Sequence, residues 1–123
     1  MTNKISSAEQ AKEALIKLKS KGALLSVDFT MLFTSFSFEG YITDFDGSTL
    51  MLAASSLGKE NPPTLTLAAW EISNFDGDFR EDESEMFLRL MVTRPIGNGS
   101  GDFFRFHLRG YWSRKGTKAR HIN

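Results

Sequence analysis

The chain reads as a mainly β protein of the α+β class, with an N-terminal helix followed by an antiparallel small barrel or curled sheet of about six strands. Three observations carry that reading. Apolar spacing is helical over only the first twenty or so residues, it changes to alternation from Leu25 onward, and turn residues interrupt the alternation at short intervals. With 123 residues, 41% of them hydrophobic, the chain has material for one core and one domain: a helix over about 7–21, a β domain over about 23–113 and a flexible tail over 114–123.

Ser6, with Glu9 three positions on, has the form of a capping box, so a helix is expected to start near Ser7. Ala8, Ala11, Ala14, Leu15 and Leu18 make one narrow stripe, Glu13 and Lys17 are spaced to pair on the outer side, and Gly22 supplies the stop. A stripe made largely of alanine buries little area, so the helix reads as a packing helix and not a membrane-surface one.

Leu25, Val27, Phe29, Met31 and Phe33 then alternate with polar residues, and the phase slips to Phe36, Phe38 and Ile42, which places a turn or bulge at Thr34-Ser35. Asp46-Gly47 is the strongest hairpin signal, with Leu50–Ala54 as the return strand. After Asn61-Pro62-Pro63, Leu65 to Phe75 reads as one bent strand, and Asp76 to Glu85 as an acidic loop or edge. Met86, Leu88, Leu90 and Val92 point inward and Pro95 ends that strand. Ile96 to Asp102 closes a final hairpin, whose last strand sets Phe104, Phe106, Leu108 and Trp112 on one face against Phe103, Arg105, His107, Arg109 and Tyr111 on the other. Tyr41 to Gly47 echoes Trp70 to Gly77, which reads as two strand ends running into Asp-Gly turns.

The net charge of zero is unevenly distributed. Residues 1–27 carry +3, residues 28–102 carry −9 and residues 103–123 carry +6. Basic ends beside an acidic middle are expected to pair with each other before they recruit an anionic partner. The absence of cysteine excludes thiol chemistry and suits the cytoplasm, and neither a signal-like start nor an apolar run of membrane-spanning length is present.

Chemistry-bearing patterns are few. Gly97 to Gly101 leads into a strand and lacks the Lys-Ser/Thr of a phosphate cradle, so it reads as a hairpin loop. Asn74, Asp76, Asp78, Asp82 and Glu85 have calcium-loop spacing, but Phe79 stands where glycine makes the sharp turn, and no metal or cofactor is expected. His107 and His121 are the only histidines, and Asp44 and Asp46 flank Phe45 at a strand end; Asp44 or Asp46 with His107 is the one acid-base set an enzyme would have. The last hairpin's outer face is more informative. Phe87, Arg89, Met91 and Thr93 beside Arg105, His107, Arg109 and Tyr111 combine guanidinium groups with rings, which suits single-stranded RNA or another anionic ligand, or else an apolar-basic contact with a second subunit. Acids such as Glu71 are expected to pair with the arginine heads if the face is covered.

Gly40-Tyr41-Ile42-Thr43-Asp44-Phe45-Asp46 resembles the first motif of Sm-like barrels, a glycine, an aliphatic residue two on and then an apolar-Asp pair, and Leu108-Arg109-Gly110 resembles their second. The resemblance implies a ring-forming RNA-binding barrel in which Asp46 and the turn after it, with Arg109 and Gly110, line a base pocket. Thr49-Leu50 stands where that family has Met-Asn, the two motifs are farther apart, and an extra strand intervenes. The paired arginines and Asp-x-Ser-x-x-Gly signature of PilZ barrels are absent. The leading expectation is a non-enzymatic binding or assembly module that self-associates through its apolar-basic face, followed by an RNA-binding Sm-like protein and then a small enzyme.

Overall fold

A computed structural model of the protein describes residues 2–31, 34–55, 63–68, 70, 73–95 and 103–115. In chain order the elements are β1 (Thr2–Ile5), α1 (Ala8–Ser20), β2 (Leu24–Met31), β3 (Thr34–Phe45), β4 (Leu50–Ala54), β5 (Thr64–Leu67), β6 (Asn74–Glu81), β7 (Glu85–Pro95) and β8 (Phe103–Ser113). All eight strands form one antiparallel sheet in the order β1-β6-β7-β8-β2-β3-β4-β5, which is not closed into a barrel. The α+β, mainly β class therefore holds, with two strands more than expected.

α1 forms where the stripe places it, and Ala11, Ala14, Leu15 and Leu18 are buried against the sheet. The cap lies one residue later than the sequence suggests. Ser7 Oγ accepts from Gln10 N–H at 3.2 Å, and Gln10 Oε1 accepts from Ser6 N–H at 2.9 Å, so glutamine takes the reciprocal role assigned to Glu9. At the other end Gly22, at φ 68°, lets Ala23 N–H reach back to the Leu18 carbonyl and close the helix. Lys17 pairs with Glu81 on β6 at 2.9 Å instead of with Glu13.

The phase slip after β2 follows from the hairpin register. Met31 faces Thr34, Phe29 faces Phe36 and Val27 faces Phe38, so an odd residue sits opposite an even one throughout, and no turn falls at Thr34-Ser35. Residues 32 and 33 lie outside the described residues. A bulge between Ile42 and Asp44 then shifts the register once more and turns Phe45 inward. Asp46-Gly47 forms the expected connection, with Gly47 at φ 96° and Asp46 Oδ1 accepting from both Ser48 N–H and Thr49 N–H at 2.8 Å.

Three expectations are corrected by pairing between distant segments. β1 is too short and polar to show a period, yet it forms along β6, with Ile5 opposite Gly77 and buried. The bent strand over 65–75 is two strands: β5 pairs with β4 at one edge, and β6 lies between β1 and β7 near the other. The acidic stretch from Asp76 is mostly strand, because Phe75, Gly77 and Phe79 bury one side while Asp76, Asp78 and Arg80 occupy the other. Gly77 is thus a strand glycine rather than a turn one. A Cβ there would collide with the Arg89 carbonyl oxygen and lie 2.8 Å from Leu90 Cα.

Trp70 shows how far the sheet curls. Its buried ring meets Phe45 on β3 edge-on at 5.3 Å and Phe75 on β6 at 4.8 Å. Three strands separate β3 from β6 in the sheet, and four steps of ~4.8 Å would hold them about 19 Å apart if it were flat. The sheet wraps around Trp70 and α1. Leu25, Val27, Leu50, Leu52, Leu88, Leu90 and Leu108 line the wrapped side, so the core lies wholly on that face.

Candidate interaction face

The outer face consists of every second residue of these strands, and the register fixes its rows. One row runs Arg80, Phe87, Tyr111, Leu24, Tyr41 and Ala53, from β6 across to β4. Phe87, Tyr111 and Leu24 are half-buried, Tyr41 is 44% exposed, and the Arg80 guanidinium stacks over the Phe87 ring at 5.1 Å. The next row holds Asp78, Arg89, Arg109, Ser26 and Glu39, and the one after it Asp76, Met91, His107, Asp28 and Ser37. Arg105 lies in a fourth row, between Thr93 and Thr30.

Most of the residues expected to share this face do so. The last hairpin brings Arg89, Arg105, His107, Arg109 and Tyr111 together with Phe87, Met91 and Thr93. The side chain of Phe103 and all of Glu71, the 96–102 connection and His121 lie outside the described residues. Sequence reasoning missed Leu24 and Tyr41, which extend the apolar row across β2 and β3. The only signal for either was an apolar residue next to one that points inward: Leu24 before Leu25, and Tyr41 before Ile42.

The arginine heads are partly engaged. Arg109 Nη2 lies 2.8 Å from Asp28 Oδ2 and Arg89 Nη2 lies 3.0 Å from Asp78 Oδ2, so neighbouring strands supply the acids that were expected from Glu71. At the centre of the face, Arg89, Arg105 and Arg109 stand among four acids, Asp28, Glu39, Asp76 and Asp78. His107 sits between Met91 and Asp28, and its Nε2 is closed to solvent with no hydrogen-bond partner among the described residues. Burial first, then the Arg109 charge, pushes the imidazole below its usual pKa; Asp28 opposes this and Arg89 adds to it.

Gly110 and Asp46 are placed elsewhere. Gly110 faces the core, where a Cβ would lie 2.9 Å from Leu18 Cδ1 and 3.5 Å from Leu25 Cγ, so this glycine is the seat of α1. Asp46 spends Oδ1 on its own turn, and the backbone N–H groups of Thr49 and Ser48 hold its carboxyl below the usual carboxylate range. Arg109 and Gly110 point to opposite faces, and Asp46 lies beyond the far end of β3, so the base pocket implied by the Sm-like resemblance is not assembled. Asp44 is likewise far from His107. It lies seven positions along β3 from Ser37, roughly 20 Å at ~3.3 Å per residue, while Ser37 shares the His107 row.

The acidic residues do not gather into a cation loop. Asn74, Asp76 and Asp78 alternate along β6, and Asp82 accepts from Ser84 N–H, Ser84 Oγ–H and Glu85 N–H in the turn that follows. Among the described residues no group of three or more metal-ligating side chains is present, and no helix is long and apolar enough to cross a membrane.

No family model matches the chain, and no curated protein matches it. Among solved structures, the FAD binding protein from Mycobacterium smegmatis aligns over 89% of this chain and 98% of its own, at 14% identity and a TM-score of 0.35. A likeness at that level carries neither fold nor flavin to this chain.

Proposed function

We propose that the protein is a non-enzymatic assembly module whose outer sheet face packs against the same face of a second copy. The observation that carries this reading is the in-register apolar row Phe87, Tyr111, Leu24 and Tyr41, on a face where Arg89 and Arg109 already have acidic partners. A face near charge neutrality lets a like surface approach, whereas a polyanion would compete with Asp28 and Asp78 for those guanidinium groups. Because the sheet curls around Trp70, its outer face is convex and the contact centres on β7, β8 and β2, which suits a small, reversible interface.

Sedimentation velocity over a concentration series tests the reading. A reversible dimer is expected, weakened about tenfold or more by Met91→Glu or Tyr41→Glu, each of which puts a carboxylate into the contact. Ile16→Glu, on the exposed side of α1, is expected to leave it intact. A wild type that is monomeric at millimolar concentration overturns the reading. If that monomer binds single-stranded RNA with a salt slope that Arg109→Ala flattens by about one unit, RNA replaces the second copy as partner.

A further inference from the structure

We infer that His107 makes the pairing face a proton-operated switch: two copies pack while this imidazole is neutral and separate when it gains a proton. The inference rests on the face-to-face reading above and adds to it a mechanism of release.

The geometry supplies the switch. His107 lies on β8, at the centre of the proposed contact, with its Nε2 already out of reach of water in a single chain and without a hydrogen-bond partner among the described residues. β7 sets Met91 directly against it and Arg89 diagonally, and β2 sets Asp28 directly against it. Along β8 itself Arg105 and Arg109 flank it two positions away on the same face. Further out are Asp76 behind Met91 and Asp78, which is held by Arg89. The nearest acid, Asp28, is occupied by the Arg109 guanidinium at 2.8 Å. A proton on His107 therefore completes a column of three cations on β8, beside a carboxylate that is already engaged.

A second copy makes the charged form costlier still, by removing the remaining water and facing the column with its own. The sign follows from linkage. Because the neutral imidazole is favoured in the chain and more so in the pair, pairing is strongest above the ordinary histidine value near ~6.5 and is lost as pH falls through the lowered one. A tenfold weaker proton affinity in the pair, at each of two symmetry-related imidazoles, makes association roughly a hundredfold weaker once both are charged.

The test measures the dimer dissociation constant at pH 7.5 and pH 5.5 by sedimentation equilibrium. For the wild type it is expected to rise several-fold, and at most about thirtyfold, on acidification to pH 5.5. His107→Gln, neutral at both values, should lose the pH dependence whatever its affinity at pH 7.5, while His121→Gln should keep it. An imidazole NMR titration is expected to give a lower His107 value in the wild-type dimer than in the monomeric Tyr41→Glu chain, whose new carboxylate lies in another row of the face. A dimer indifferent to pH, or one whose pH dependence survives His107→Gln, overturns the switch and leaves the pairing standing. A chain that is monomeric at every pH overturns both.

Discussion

Replacing Trp70 with alanine should cost the fold more than any exposed substitution, and the structure allows the size to be worked out. The ring is 1% exposed, packs between Phe45 and Phe75, and donates its Nε1–H to the Ala8 carbonyl at 3.4 Å. Removing up to ~250 Å² of aromatic surface at ~25 cal/mol per Å² sets an upper bound near 6 kcal/mol, and partial collapse of the site brings typical losses to about 3–5 kcal/mol. An unfolding entropy of ~2.1 cal/mol/K per residue over 123 residues is about 0.26 kcal/mol/K, so ~4 kcal/mol lowers the midpoint by about 15 °C. Trp70→Phe keeps a ring in the gap and loses a long hydrogen bond, for about 1–2 kcal/mol, or roughly 4–8 °C. Thermal melts followed by circular dichroism read both variants. A Trp70→Ala chain melting within about 3 °C of wild type, or a phenylalanine variant no better than the alanine one, would show that the ring does not hold the curled sheet together.

Gly110→Ala places a methyl 2.9 Å from a buried Leu18 carbon and is expected to cost about 1–3 kcal/mol in a thermal melt, while Arg109→Ala, one residue away on the outer face, should stay within about 1 kcal/mol. Equal shifts would contradict the assignment of these neighbours to opposite faces. A double-mutant cycle on Arg109 and Asp28, both partly exposed, is expected to give a coupling of about 0.2–1 kcal/mol that shrinks toward zero in ~1 M salt; a coupling unaffected by salt would mean that the contact is not an exposed ion pair.

What the sequence made legible was local. The Ala11 to Leu18 stripe, the Asp46-Gly47 connection and the alternation through Met86–Val92 and Phe104–Leu108 each contain their own signal within a few residues, and each formed as read. β1 and β6 did not show, because pairing with other strands, β1 with β6 and β6 with β7, makes them strands. Ile5 has no apolar neighbour to set a period, and Gly77 interrupts the Phe75–Phe79 alternation at the point where the two strands meet. The segment from Leu65 to Phe75 failed for the same reason: its two apolar stretches are continuous in the chain, but their partners, Leu50–Ala53 on β4 and Met86–Thr93 on β7, lie four strands apart in the sheet. The outer face was half legible. Period two placed Arg105, His107 and Arg109 together, but only register could bring Asp28 to Arg109, across 81 positions of sequence.

The charge distribution connects these two levels. Arg109, from the basic C-terminal segment, pairs with Asp28 of the acidic middle, and Lys17, from the basic N-terminal segment, pairs with Glu81 of the same middle. Arg114 Nη2 donates to the Glu83 carbonyl beside it. The excess of +3 and +6 at the ends is thus spent partly inside the fold, through strand neighbours that sequence distance conceals. The acids beside Arg89 and Arg109 reduce the attraction of those two groups for phosphate, which is the ground for proposing a like surface over a polyanion as partner. Histidine is the side chain whose ordinary titration range falls between pH 5.5 and 7.5, so the association proposed for this face would follow the protonation of His107 at its centre.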